Sequence, residues 1–219
     1  MSDSIGVVFD MDGVIVHSNP THKRAIQIFC ERYERDVSEE LLENRVYGRT
    51  NKEWIPEVFG DIGLQKIEKL ADAKEQLFRD LFAPEDHAVA GIFDFLEQLK
   101  SYNIPLAVAT SAPAENAEYI LSRLSIKDYF EVVLDSSHVN VGKPDPEVYL
   151  KASERLGKEA SNCIVFEDSV SGVRAGLQAG AAVVGVMTTH TPDELEGCHL
   201  LIDDFRGLHP EQIIELQSD

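Results

Sequence analysis

Residues Ile5-Gly6-Val7-Val8-Phe9 form an unbroken apolar run that ends in Asp10-Met11-Asp12-Gly13-Val14. A short continuous apolar run closed by polar and glycine residues predicts a strand buried on both faces, as in a parallel sheet covered by helices. The same texture returns at 105–110, 132–134, 163–167, 182–186 and 200–202, each run followed by residues suited to a loop. Longer amphipathic segments separate these runs, so the pattern predicts an α/β architecture built on a parallel sheet. Between Pro20 and about Pro84 the period changes: Ala25, Ile26 and Phe29, then Leu41 and Leu42, then Leu64, Ile67, Leu70, Leu77 and Phe78 recur at helical spacing with no strand pattern among them. A helical block placed after the first strand predicts an inserted cap over 17–85, with a core made of 1–16 and 86–219. Gly172, Gly176 and Gly180 are spaced like a membrane dimer motif, but Arg174 and Gln178 lie among them. Close packing of a helix on the sheet, with Gly180 ending that helix, is the expectation.

Composition changes this picture little, and charge narrows it. The 219 residues, 43% hydrophobic and 27% charged, suffice for one good core with an insertion. A net charge of −19 argues against nucleic acid or an anionic membrane as partner, since both need clustered Lys and Arg. A small anionic substrate stays open, because a metal and one or two placed cations reverse a local field. Cys30, Cys163 and Cys198 are odd in number and lack metal-ligand spacing, which predicts reduced thiols and a cytoplasmic protein. No signal-peptide pattern and no apolar stretch of membrane-spanning length is expected. A monomer or weak homo-oligomer is the expected state.

The candidate chemistry sits where the apolar runs stop. Asp10 and Asp12 come to one place at the carboxyl edge of the predicted sheet, where open α/β folds keep their ligands. Two anions that close favour a divalent cation, a shared proton, or both. Covalent phosphoryl chemistry fits the pair, as does a metal site without it or a plain acidic turn. The second run adds Thr110-Ser111 just before Pro113, a hydroxyl beside a predicted helix N-terminus that suits phosphate. Gly142-Lys143-Pro144-Asp145-Pro146 holds one ammonium on a loop stiffened by prolines, and the fourth run ends in Glu167-Asp168. Acids at the ends of two strands make a cation site more probable than either pair alone.

These four signals in this order, Asp-x-Asp, Thr/Ser, Lys-Pro and Glu-Asp, resemble the haloacid dehalogenase superfamily of phosphotransferases over nearly the whole chain. The branch with β-phosphoglucomutase and phosphoglycolate-phosphatase-like enzymes is nearest, since Asp-x-Asp-Gly-Val is followed here by Ser18 and His22. The resemblance implies a Rossmann-like parallel sheet core with helices on both faces and an inserted helical cap. It also implies roles: Asp10 as nucleophile, Asp12 as general acid and base, Thr110 and Lys143 on the transferring group. Mg²⁺ would be bound by Asp10, Asp168 and the main-chain oxygen of Asp12, with Glu167 in or beside its shell. Ser111, Ser18, His22, Arg49, Asn51 and Lys52 are the candidate phosphate and substrate contacts.

The departures from that pattern bear on substrate. His17 stands where an acid is common, and no role for it follows from its chemistry. Asn51 falls where the mutase carries an arginine for a second phosphate, and Ala112 and Ala114 replace polar residues after Thr110. The expected activity is therefore Mg²⁺-dependent release of phosphate from a small phosphorylated metabolite, a sugar phosphate or a phosphoglycolate-like acid. A phosphohexomutase is the alternative. A receiver-type signalling module is remote, because receivers span about 120 residues and lack the second Asp.

Overall fold

A computed structural model of the chain describes residues 5–47 and 49–217. Strand β1 (Gly6–Phe9) is followed by α1 (Asn19–Arg32), α2 (Glu39–Leu41) running into a π-helical turn at Leu42–Val46, α3 (Asn51–Phe59) and α4 (Leu64–Leu81). The chain then alternates through α5 (Ile92–Ser101), β2 (Leu106–Ala109), α6 (Ala114–Arg123), β3 (Val132–Leu134) and α7 (Glu147–Arg155). It finishes with β4 (Cys163–Glu167), α8 (Val170–Gln178), β5 (Ala182–Val186), β6 (Leu200–Ile202) and α9 (Pro210–Glu215). Two compact units result, one of residues 1–17 with 84–219 and one of residues 18–83.

In the first unit six parallel strands run in the order β3-β2-β1-β4-β5-β6. The order reverses between β1 and β4, so the ends of those two strands frame the crevice where such sheets bind ligands. The pleat then decides which side chains share a face. Val8 and Val165 join Ala107, Val148, Tyr149, Ala152, Val173 and Val183 in one buried apolar layer, shared with α7 and α8. On the other face Phe9 stacks on Phe166 with ring centroids 4.9 Å apart, and Phe95 and Phe205 close around them. Aromatic pairs contribute about 0.5–1.5 kcal/mol each beyond the area they bury. The stack joins β1 to β4 in register at Phe9 and Phe166, one residue before Asp10 and Glu167. By the same alternation Asp10 and Glu167 project to the side of Val8 and Val165.

Gly176 packs against Val183, where an added Cβ would come within 2.9 Å of its Cγ2, as the predicted close helix–sheet contact requires. The two points where the first unit is interrupted lie side by side. Val16 forms an antiparallel bridge with Ala88, Val89 N donates to Ile15 O at 2.9 Å, and His17 N donates to His87 O at 2.8 Å.

The second unit packs α1 and α3 on α4 through Ala25, Ile26, Phe29, Trp54, Ile55, Leu70, Leu77 and Phe78, all buried. Thr50 starts α3 with a capping box, its N and Oγ1 donating to Glu53 Oε2 at 2.8 and 2.7 Å. Among the described residues no helix is long and apolar enough to cross a membrane.

Candidate active site

Asp10 continues β1 by one more rung, its N–H donating to Phe166 O at 3.0 Å, so its carboxylate is carried by the sheet rather than by a free loop. The chain then turns tightly: Ile15 N donates to Met11 O at 2.9 Å and Gly13 N to Val16 O at 2.7 Å. Gly13 takes φ +84°, and a Cβ there would lie 2.0 Å from Asp168 Oδ2. Only glycine lets the acid-bearing turn and the end of β4 approach this closely.

Lys143 is drawn in from the loop after β3. Asn140 N and Val141 N each donate to Glu147 Oε2 at 2.9 Å, and Glu147 N donates to Asp145 Oδ1 at 3.0 Å, so the loop is tied to the start of α7. The ammonium donates to Asp10 Oδ1 at 2.6 Å, Glu167 Oε1 at 2.7 Å and Ala109 O at 3.2 Å. Its side chain is only 6% exposed, so these charge-assisted bonds work at low dielectric. Glu167 in turn accepts from Tyr149 OH at 2.7 Å on Oε1, and from Asp168 N, Ser169 N and Ser169 Oγ at 3.0 Å on Oε2.

That carboxylate rests on Gly172 in the first turn of α8, where a Cβ would fall 1.7 Å from Oε1 and 1.9 Å from Cδ. Gly172→Ala should therefore expel Glu167 from its seat. We expect a loss of about 1–3 kcal/mol or more of stability, the range for overpacking a filled interior, together with most of the activity. Urea denaturation of the metal-free protein checks it, and an unchanged midpoint would contradict the seat.

Asp10, Glu167 and Asp168 place one oxygen each within 4.8 Å of the others, and all three are buried. Three carboxylates stand against one ammonium, and their proton affinities register the imbalance. Burial pushes Asp10 up to about 7, with Glu167 and Asp12 adding to the rise and Lys143 opposing it. Asp168 is held well above the carboxylate range by burial and by its neighbours Glu167 and Asp10. Burial would raise Glu167 as well, but Lys143 and its other donors outweigh it and leave Glu167 below its ordinary value. Lys143 stays charged: burial would lower it, and Asp10 and Glu167 raise it well above its usual value. Hard oxygen donors in negative excess, two of them proton-hungry, are the donor set a small divalent cation satisfies.

Thr110 lies buried beyond β2, its N donating to Leu134 O at 2.9 Å and its Oγ1 accepting from Ala112 N at 3.1 Å; Ser111 beside it is exposed. Asp12 is half-buried and outside the three-acid cluster.

In the helical unit His22 and Asn51 come together through two residues the sequence reading did not single out. Lys74 Nζ donates to His22 Nδ1 at 2.9 Å and to Glu75 Oε1 at 2.8 Å. Asn51 Nδ2 donates to the same Glu75 oxygen at 2.7 Å, and Trp54 Nε1 donates to Asn51 Oδ1 at 2.9 Å. His22 also stacks on Phe78 at 3.7 Å. Arg49 and Lys52 are exposed and outside this cluster, Ser18 is buried just before α1 with its carbonyl accepting from His22 N, and His17 is exposed. Lys74 had a visible signal: it lies four residues from both Leu70 and Phe78, on the apolar stripe of α4. Thr188 and Thr189, just past β5, were also missed. Thr188 Oγ1 donates to Gly13 O at 2.5 Å, and Thr189 Oγ1 lies 2.5 Å from Asp168 Oδ2. They obey the rule that exposed the other acids and hydroxyls, polar residues where an apolar run ends.

Comparison with known proteins adds a family and its relatives. The haloacid dehalogenase-like hydrolase family matches residues 6–180. A phosphorylated carbohydrates phosphatase of Thermotoga maritima is 36% identical over 179 residues, 80% of this chain and 81% of that protein. A β-phosphoglucomutase of Bacillus subtilis is 32% identical over 193 residues, covering 82% of each. Among solved structures, a HAD hydrolase of family IA, variant 3, from Entamoeba histolytica superposes with a TM-score of 0.90 at 31% identity, over 98% of this chain and all of that one.

Proposed function

The chain belongs to the haloacid dehalogenase-like hydrolases, as a phosphohydrolase or phosphomutase, and from that premise we propose that it is a Mg²⁺-dependent phosphatase of a small phosphorylated metabolite. The observation that carries this reading is the buried meeting of Asp10, Glu167 and Asp168 with the Lys143 ammonium at the ends of β1 and β4. Asp10 is the nucleophile, its carboxylate attacking phosphorus and forming an aspartyl-phosphate. Lys143 offsets the charge of both the attacking carboxylate and a phosphoryl oxygen, and Thr110, with Ser111 beside it, hydrogen-bonds the transferring group. Asp12 gives a proton to the leaving oxygen and takes one from the water that then hydrolyses the acyl-phosphate. Asp10, Asp168 and the main-chain oxygen of Asp12 would hold Mg²⁺, with Glu167 in or beside its shell. The cation there supplies Lewis-acid relief of the repulsion between carboxylate and phosphate dianion.

Relatives of both kinds exist, a carbohydrate-phosphate phosphatase and a mutase. Within the helical unit, which we read as the family's inserted cap, the residue aligned with the mutase arginine is Asn51. It is uncharged, and its amide is committed to Glu75 and Trp54. Loss of one charged phosphate contact costs about 1.5–3 kcal/mol, roughly ten- to a hundredfold in affinity for a bisphosphate. Net phosphate release should therefore dominate, with Arg49 or Lys52 setting substrate preference.

The test supplies Mg²⁺, β-glucose 1-phosphate and catalytic β-glucose 1,6-bisphosphate and follows glucose 6-phosphate and free phosphate together, beside a panel of sugar phosphates and phosphoglycolate. Phosphate release is expected to lead and to stop in excess chelator until Mg²⁺ is restored. Isomerisation faster than release by orders of magnitude would make the protein a mutase, and turnover undiminished by chelation would remove the metal.

A further inference from the structure

Tyr149 is fully buried in α7, and the mechanism above gives it no part. Its ring lies in the apolar layer under the sheet, while its hydroxyl donates to Glu167 Oε1 at 2.7 Å. The same oxygen accepts from Lys143 at 2.7 Å, and the Lys143 ammonium sits 4.9 Å from the centroid of the Tyr149 ring. Lys143 is thus shared between two carboxylates, Asp10 at 2.6 Å and Glu167 at 2.7 Å, that compete for one charge. A second donor on Glu167 Oε1 lowers the demand of Glu167 for the ammonium and leaves it balanced toward Asp10.

We infer that Tyr149 is a positioning residue for phosphoryl transfer: through Glu167 and its own ring face it fixes the Lys143 ammonium beside the Asp10 nucleophile. A core tyrosine whose only task was packing would not need its hydroxyl aimed at a carboxylate that four other donors already crowd. The inference rests on the phosphatase reading, and the test separates the two.

Tyr149→Phe keeps the ring in its layer and removes only the hydroxyl, so the fold survives, as circular dichroism and the melting temperature verify. With one donor gone, Glu167 takes a larger share of Lys143 and draws it from Asp10. A small misplacement of a catalytic group can lower kcat about ten- to a hundredfold, and that is the expected fall, with KM changed little. Single-turnover formation of the acyl-phosphate should slow by the same factor. A packing role alone, which the phenylalanine ring preserves, would leave kcat where it was, and that result overturns the inference. Should the phenylalanine variant melt early, kcat measured at a temperature where its circular dichroism matches that of the parent decides the matter: a fall of about tenfold or more bears the inference out, and an equal kcat overturns it. A parent protein that releases phosphate from no phosphomonoester sinks the phosphatase reading and this inference with it. A parent that does so, beside a phenylalanine variant of equal kcat, sinks the inference alone.

Discussion

Asp10→Asn should abolish turnover, by about a thousandfold or more, because the amide cannot form the acyl-phosphate on which both half-reactions depend. The change is nearly isosteric, and Asn Oδ1 can still accept from Lys143, so the fold should survive. Stability gives a second, independent signature. Burial lifts Asp10 from 3.8 to about 7, so its contribution to the metal-free fold is complete below pH 3.8 and disappears as pH rises through about 7. The asparagine variant lacks that titration. Between those pH values the metal-free parent should lose stability relative to the variant, and the variant should melt no lower than the parent at pH 8. A variant with more than a few per cent of parental turnover would refute covalent catalysis by Asp10.

Asp12→Ala should be nearly inactive toward alkyl phosphates while still forming the three-acid cluster, since Asp12 lies outside it. Loss of a general acid and base costs typically 10²–10⁴-fold. The loss depends on the leaving group: p-nitrophenolate departs without a proton, so single-turnover phosphorylation by p-nitrophenyl phosphate should fall far less than by a sugar phosphate. Hydrolysis of the acyl-phosphate should slow for both, because the base for water is gone either way. Equal losses in the first step would assign Asp12 another role.

The elements of this fold that are buried on both faces could be read directly. β1, β4 and β5 are continuous apolar runs, and the acids that end β1 and β4 stand out against them. The helical block was visible in its period for the same reason, since apolar residues must return every third or fourth position to face a core. Strand order was not visible, because it depends on which crossover each helix makes and not on any local period. Lys143 was marked by its prolines, but its burial was not: a lysine on a polar loop reads as solvated until the two carboxylates that draw it inward are located. Gly172 read as helix–sheet packing, whereas its neighbour is the Glu167 carboxylate, a side chain five residues earlier across a turn. Tyr149 shows the limit plainly. Its spacing in α7 predicts a core ring and says nothing of where the hydroxyl points.

The antiparallel pairing of 15–17 with 87–89 has a consequence for how such a protein can be altered. Both ends of the helical insertion leave the sheet-bearing unit through adjacent, mutually bonded backbones, so from that unit's side the insertion is a loop already closed. Closure entropy grows only slowly with loop length, about 0.6 kcal/mol per doubling. An insert of different size or sequence can therefore be exchanged at this neck with little penalty to the strands that carry the acids. Recombination at residues 17 and 87 is therefore the place to test whether the insertion sets substrate preference apart from the chemistry, as proposed above.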